Sequence, residues 1–179
     1  MALSNLVPIP ELYVSHESAL KLKVEAGNLP SWDLTARQVC DLELLMNGGF
    51  FPLKGFLSEA DTNGVINTMR LADGTLWPMP INLDVSEAFA DKIEPGQDIA
   101  LRDQEGVILA ILSVTDKWLP NKPHEAAQVY GADDLAHPAV NYLHNQAGAV
   151  YLGGPITGIQ QPVHYDFKAR RDTPGVKAE

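Results

Sequence analysis

LTARQVCDLELLMNGGFFPLKGFL, running from Leu34 to Leu57, places a helix start, a helix stop and an aromatic-glycine turn in one uninterrupted stretch. Thr35 followed by Gln38 has the capping-box spacing, in which a hydroxyl and a carboxamide each satisfy a backbone donor at a helix N-terminus. A helix is therefore predicted to begin there. Val39, Leu42, Leu45 and Met46 recur at helical spacing as one apolar stripe, with Arg37, Asp41 and Glu43 mostly on other faces. Asn47, Gly48 and Gly49 should end the helix, because asparagine and glycine accept the left-handed backbone of a C-terminal cap. Phe50, Phe51, Pro52, Leu53, Gly55 and Phe56 then make a dense apolar loop, which must be buried or offered to a partner.

Working outward, Ser58 with Asp61 predicts a second helix with Val65, Ile66 and Met69 on its apolar side, ending at the Ala72-Asp73-Gly74 turn. Gly64 weakens it by up to about 1 kcal/mol relative to alanine. From Trp77 the pattern becomes extended. Pro78 and Pro80 suit a strand start, and Ile81, Leu83 and Val85 alternate along a strand over 81–85. Glu94-Pro95-Gly96 turns into a hairpin with arms 98–102 and 107–115, joined by Asp103-Gln104-Glu105-Gly106. The alternation of Ile99 and Leu101 with Ala100 and Arg102 predicts a half-exposed first arm, whereas the apolar second arm reads as a central strand. Two short helices follow, 124–130 and 138–146, the latter entered through Pro138. Residues 149–152 and 156–159 read as two strands around a Gly153-Gly154-Pro155 turn. Upstream, 18–26 fits a helix, although Leu20, Leu22 and Val24 fit a strand equally well. Short strands with helices inserted between them imply a small α+β domain on a strongly bent sheet or barrel.

Composition narrows the classes. The 179 residues carry 45% apolar and 20% charged side chains, the ordinary range for one globular domain. No stretch approaches the roughly 18 uninterrupted apolar residues of a membrane helix, and MALSNLVPIPELYV lacks a basic start and carries two prolines, so neither membrane insertion nor export is expected. A single cysteine, Cys40, suits a reducing cytoplasm and, lying among apolar helix residues, predicts a buried thiol. The net charge of −10 disfavours nucleic acid over most of the surface.

The central stretch also carries a family resemblance. CDLELLM followed by NGGFFPLKGFL resembles the N-terminal segment of sulfate adenylyltransferases, where CDLE, NGGFSPL and GF recur. Phe51 stands where the family usually has a small polar residue, and Lys54 occupies a variable position. The likeness continues through Leu71 to Asp84 (LADGTLWPMPINLD), Leu101-Arg102-Asp103, His137-Pro138, Tyr151 to Gly154 (YLGG) and His164 to Phe167 (HYDF). It is weak over the first thirty or so residues and strong from Leu29 onward. It implies a PUA-like barrel over residues 31–168, an N-terminal arm over 1–30, and a linker over 169–179 leading toward a catalytic domain. It also implies a domain that is not itself catalytic. The family joins ATP and sulfate, with magnesium, to give adenosine 5′-phosphosulfate and pyrophosphate. It does so through an HxxH signature, in a run resembling QxRNPxHxxH, on a following α/β domain. Neither run occurs in these residues, so no catalytic, cofactor-binding or metal-binding residue is assigned and the chain alone is expected to be inactive. The expected partners are the catalytic domain and other subunits, contacted in part through Asn47, Gly48, Gly49, Phe50, Phe51, Pro52, Leu53, Gly55 and Phe56.

Other chemistry is thin. There is no phosphate-binding glycine loop of the GxGxxG or GxxxxGK[ST] form. His137 and His144 stand seven apart rather than at the three or four of metal-binding helices. Asp103 and Glu105 sit in a turn where acids serve local hydrogen bonds, and Arg102 reads as a solvated strand end. The competing reading is a free-standing PUA-like binding module for RNA or a small anion, using a local basic patch of Lys168, Arg170 and Arg171.

Overall fold

The computed structural model describes residues 9–164. The chain runs through α1 (His16–Ala26), β1 (Ser31–Asp33), α2 (Ala36–Met46), β2 (Gly55–Phe56) and α3 (Glu59–Thr68). It continues through β3 (Leu83–Val85), α4 (Glu87–Ala90), β4 (Asp98–Arg102), β5 (Ile108–Ser113) and β6 (Asp116–Trp118). It closes with α5 (Lys122–Glu125), a π-helical turn (Ala126–Tyr130), α6 (Pro138–Asn145) and β7 (Val150–Gly158). The class is α+β with mixed strand directions, as the sequence implies. Two compact units divide these residues. The expected linker over 169–179 and the basic residues Lys168, Arg170 and Arg171 lie outside the described residues.

The first unit holds residues 9–55, 98–112 and 156–164. Its strands lie in the order β1-β4-β5-β7, with β1 parallel to β4, in register Ser31 to Ala100 and Asp33 to Arg102, β4 beside β5, and β5 antiparallel to the end of β7. β4 is therefore an interior strand, and Ile99, Ala100 and Leu101 are all fully buried, not half exposed as alternation predicts. Its second face is covered as well: Ala100 packs in a cluster with Ala19 and Ala26 of α1, Ile111 and Ile159. That packing also settles 18–26 as helix. Ser15 caps it by accepting from the Ser18 amide, and the alanines rather than Leu20 and Val24 face inward. Residues 12–14 thread beside β7: Leu12 donates to Met46 O at 2.8 Å, Gly158 donates to Leu12 O at 2.9 Å, and Val14 donates back to Gly158 O at 3.0 Å.

Helix α2 begins as its sequence requires. The Gln38 amide donates to Thr35 Oγ1 at 3.3 Å, and the Thr35 amide donates to Gln38 Oε1 at 3.0 Å, completing the reciprocal box. Leu42, Leu45 and Met46 are buried. Cys40 is exposed, contrary to the expected buried thiol. At about 100° per residue it stands some 200° round from Leu42, on the outer face. Gln38, by contrast, is fully buried, and its Oε1 also accepts from Trp32 Nε1 at 3.2 Å. Thr35→Ala removes one half of the box, so a loss of about 1 kcal/mol is expected, with Thr35→Ser close to wild type. Thermal unfolding followed by circular dichroism would show a fall of about 2–4 °C for the alanine variant.

The second unit holds residues 56–97 and 113–155. Here β3 and β6 both pair antiparallel with the first half of β7, Leu83 and Lys117 each in register with Leu152. Leu83, Val85, Ile93 and Leu152 are fully buried. The expected strand over 81–85 narrows to Leu83–Val85, although every residue from Ile81 to Val85 is buried. The expected pair of strands around Gly153-Gly154-Pro155 is one continuous strand, β7. Those glycines do not turn the chain; they allow other backbone to pass close. A Cβ on Gly153 would lie 2.3 Å from Leu57 O, and one on Gly154 would lie 2.0 Å from Ser113 O.

Helix α3 starts at Ser58 as expected, with Ser58 Oγ accepting from the Asp61 amide at 3.1 Å. It stops at Thr68 rather than near Gly74, because Met69 adopts a left-handed φ of 54° and turns its side chain, expected inside, to solvent. Gly64 is more than a weak helix former: a Cβ there would stand 2.5 Å from Arg70 O, where the chain doubles back. The expected helix over 124–130 begins earlier, at Lys122, capped by Asn121, and widens into the π-turn that Gly131 ends at φ 69°.

Candidate functional site

The loop after α2 is tightly hydrogen-bonded. Asn47 caps the helix by donating to Glu43 O at 2.9 Å, and its Oδ1 accepts from the Gly49 amide at 3.0 Å. Phe50 donates to Leu44 O at 2.9 Å, Phe51 to Gly48 O at 3.1 Å and Leu53 to Phe50 O at 2.8 Å. Gly48 takes φ 77°, as a capping glycine should, and the Phe51–Pro52 peptide is cis. Asn47, Gly48, Leu53, Gly55 and Phe56 are buried, Phe50 and Pro52 half-buried, and Gly49 exposed. Phe51 is 55% exposed. A large aromatic side chain held out by an ordered backbone costs little entropy to immobilise against a partner. The surface this loop can offer is therefore Gly49 to Pro52 with the exposed Lys54, the buried residues serving as its support.

The second unit contains a polar cluster that sequence reasoning missed. Asp84 and Glu125 are each 5% exposed, Tyr151 is 3% exposed, and Lys122 is half-buried. The Gly148 amide donates to Asp84 Oδ2 at 2.7 Å, Tyr151 donates its hydroxyl to Glu125 Oε2 at 3.1 Å, and Lys122 donates to Ala147 O at 2.8 Å. Burial pushes the Lys122 ammonium below the usual lysine range, and the charges of Asp84 and Glu125 oppose that shift. Buried charges persist only when paired and hydrogen-bonded. The geometry meets that need with groups from β3, α5, the α6–β7 connection and β7. Its members recur at no local spacing, so periodicity could not reveal them; the one local signal is an aspartate inside the apolar run INLDV.

The remaining candidates have individual roles. Arg102 Nε pairs with Asp33 Oδ1 at 2.8 Å at the end of β4, and both side chains stay open to solvent, as a solvated strand end should. Asp103 accepts from the Glu105 and Val107 amides at 3.0 and 2.8 Å, the local bonding expected of a turn acid. His124 contacts Asn67 Oδ1 at 2.9 Å, His144 contacts Asp133 Oδ1 at 2.7 Å, and His137 stacks on Tyr130 with ring centroids 5.7 Å apart. His164 Nε2 lies 3.0 Å from Glu43 Oε2, tying the chain after β7 to α2. Among the described residues no group of three or more His, Cys, Asp or Glu side chains is arranged to hold a metal, and no helix is long and apolar enough to cross a membrane.

Comparison with known proteins agrees along nearly the whole chain. A family model described as a PUA-like domain matches residues 5–161. A sulfate adenylyltransferase of Mycosarcoma maydis is 50% identical over 159 residues, covering 87% of this chain and 28% of that protein. One from Saccharomyces cerevisiae is 48% identical over 158 residues, covering 88% and 31%. Among solved structures, one described as a hexameric APS kinase from Thiobacillus denitrificans superposes with a TM-score of 0.72 at 34% identity, covering 93% of this chain and 28% of that one. The chain thus spans less than a third of the length of these relatives.

Proposed function

Since the chain belongs to the PUA-like domain family, we propose that it is the non-catalytic PUA-like portion of a sulfate adenylyltransferase, serving as a scaffold for the part that binds ATP and sulfate. The supporting observation is the 50% identity carried across 87% of the chain while only 28% of the relative is matched. Activation of sulfate by ATP is largely a matter of positioning and charge stabilisation. Among the described residues no group of three or more His, Cys, Asp or Glu side chains is arranged to hold a metal, and Arg102 is engaged with Asp33 and Lys117 with backbone carbonyls. We therefore assign ATP, magnesium and sulfate to the remainder of the enzyme, working in the cytoplasm in sulfate assimilation. Contact with that remainder, or with other subunits, runs in part through the Asn47–Phe56 loop, whose exposed aromatic residue is Phe51.

A pyrophosphate-release assay tests this reading. The 179-residue chain alone should give no sulfate-dependent turnover. Mixing it with a separately expressed catalytic portion of a close relative should raise that portion's activity or thermal half-life. Phe51→Asp should weaken the association about tenfold or more while leaving the circular dichroism spectrum unchanged. Turnover by the chain alone, or a catalytic portion indifferent to its presence, would overturn the scaffold role.

A further inference from the structure

A groove of about 230 Å³ opens in the second unit between α4 and β6. Trp118, Leu119 and Val150 give it an apolar floor, and Glu87 and Asp91, one helical turn apart, stand along one side. Leu119, which lines the groove, is 75% exposed. The Trp118 ring is fixed in place: Trp118 is in register with Tyr151, and the two rings meet edge to face at 5.7 Å and 82°. The Tyr151 hydroxyl is in turn anchored on Glu125. Among the described residues the one cation lining the groove is Lys117, whose ammonium is directed to Ile93 O at 2.7 Å, Ala90 O at 3.3 Å and Glu94 Oε1 at 3.2 Å. Glu94 thus answers Lys117. Neither Glu87 nor Asp91 has an ion pair or side-chain acceptor role among the described residues.

We infer that this groove receives a lysine or arginine side chain presented by a polypeptide partner. Such side chains lay an apolar stem along a hydrophobic surface while keeping the charged head among polar groups. An indole face attracts that head further, and arginine in particular stacks on it. The apolar floor matches the stem, the fixed indole and two unanswered carboxylates match the head, and the net charge of −10 favours a basic partner's approach. The pocket lies apart in sequence from the Asn47–Phe56 loop, and the inference stands whether or not a sulfate-activating enzyme is the context.

The test uses the full chain labelled with ¹⁵N, following the Trp118 indole N–H signal, which Trp118→Phe identifies. The probes are the capped peptides acetyl-Gly-Gly-Arg-Gly-Gly-amide and its norleucine counterpart. The arginine peptide should give a saturable shift that weakens as salt rises from about 50 to 500 mM, and the norleucine peptide should give little. Glu87→Gln with Asp91→Asn should weaken binding at least about fivefold, whereas Glu11→Gln with Glu105→Gln, an equal change of charge elsewhere, should leave it intact. No saturable shift, equal response to norleucine, insensitivity to salt, or equal loss in the control pair would each overturn the assignment.

Discussion

Gly154→Ala should leave little folded protein at 37 °C, with a loss of more than about 4 kcal/mol. Two independent costs combine. Gly154 has φ 148°, a backbone region that side chains rarely enter, and its new Cβ would lie 2.0 Å from Ser113 O, with Thr115 N at 3.1 Å. Backbone atoms cannot swing aside as a flexible side chain would. The strand would have to separate from the Ser113–Thr115 segment, giving up the bond from the Thr115 amide to Gly153 O at 2.9 Å. Gly153→Ala should be nearly as damaging, since its Cβ would meet Leu57 O at 2.3 Å. Gly106 supplies the control. Its φ is 85°, yet nothing lies within 4 Å of a Cβ built there, so Gly106→Ala should cost only about 1–2 kcal/mol. Urea unfolding of the three variants would separate close approach from conformational strain. Similar midpoints for Gly154→Ala and Gly106→Ala would show that the crossing backbone yields.

Asp84→Ala should cost about 3 kcal/mol, the largest effect expected here after the two β7 glycines. It takes the acceptor from the Gly148 amide, bonded at 2.7 Å, and takes a buried negative charge from the surroundings of Lys122. Asp84→Asn keeps an oxygen for Gly148 while removing the charge, and should cost about 1 kcal/mol. Replacing Lys122 with methionine in the Asp84→Ala background should recover part of the loss, because the ammonium would no longer face that environment without its aspartate. A double-mutant cycle by chemical denaturation gives the coupling directly. Additive losses from the two sites would mean that the charges do not interact.

Local chemistry was readable from residues alone. Thr35 and Gln38 announced their reciprocal bonds, Ser58 with Asp61 announced α3, and the apolar run over 107–115 announced an interior strand. Long-range geometry was not. Gly153 and Gly154 spell a turn in one dimension, and only the carbonyls of Leu57 and Ser113 reveal a straight strand with neighbours pressed against it. Ala100 looked like part of an outward face until α1 packed against it from beyond the strand's own hairpin. Asp84, Lys122, Glu125 and Tyr151 were invisible as a group, because burial joins residues that spacing leaves apart. The family likeness rested on runs such as NGGFFPLKGFL, where capping and loop geometry restrict each residue locally.

Cys40, the single thiol of the 179-residue sequence, stands on the solvent side of α2. A molecule with one such group has a chemical valence of one. Under oxidising conditions copies of this chain can couple through it in pairs and no further, so no covalent network can grow through cysteine. The same position offers a single point of attachment for a maleimide dye, outside the packed face of the helix. Distances measured from that dye to a labelled partner would then refer to one known place on the surface.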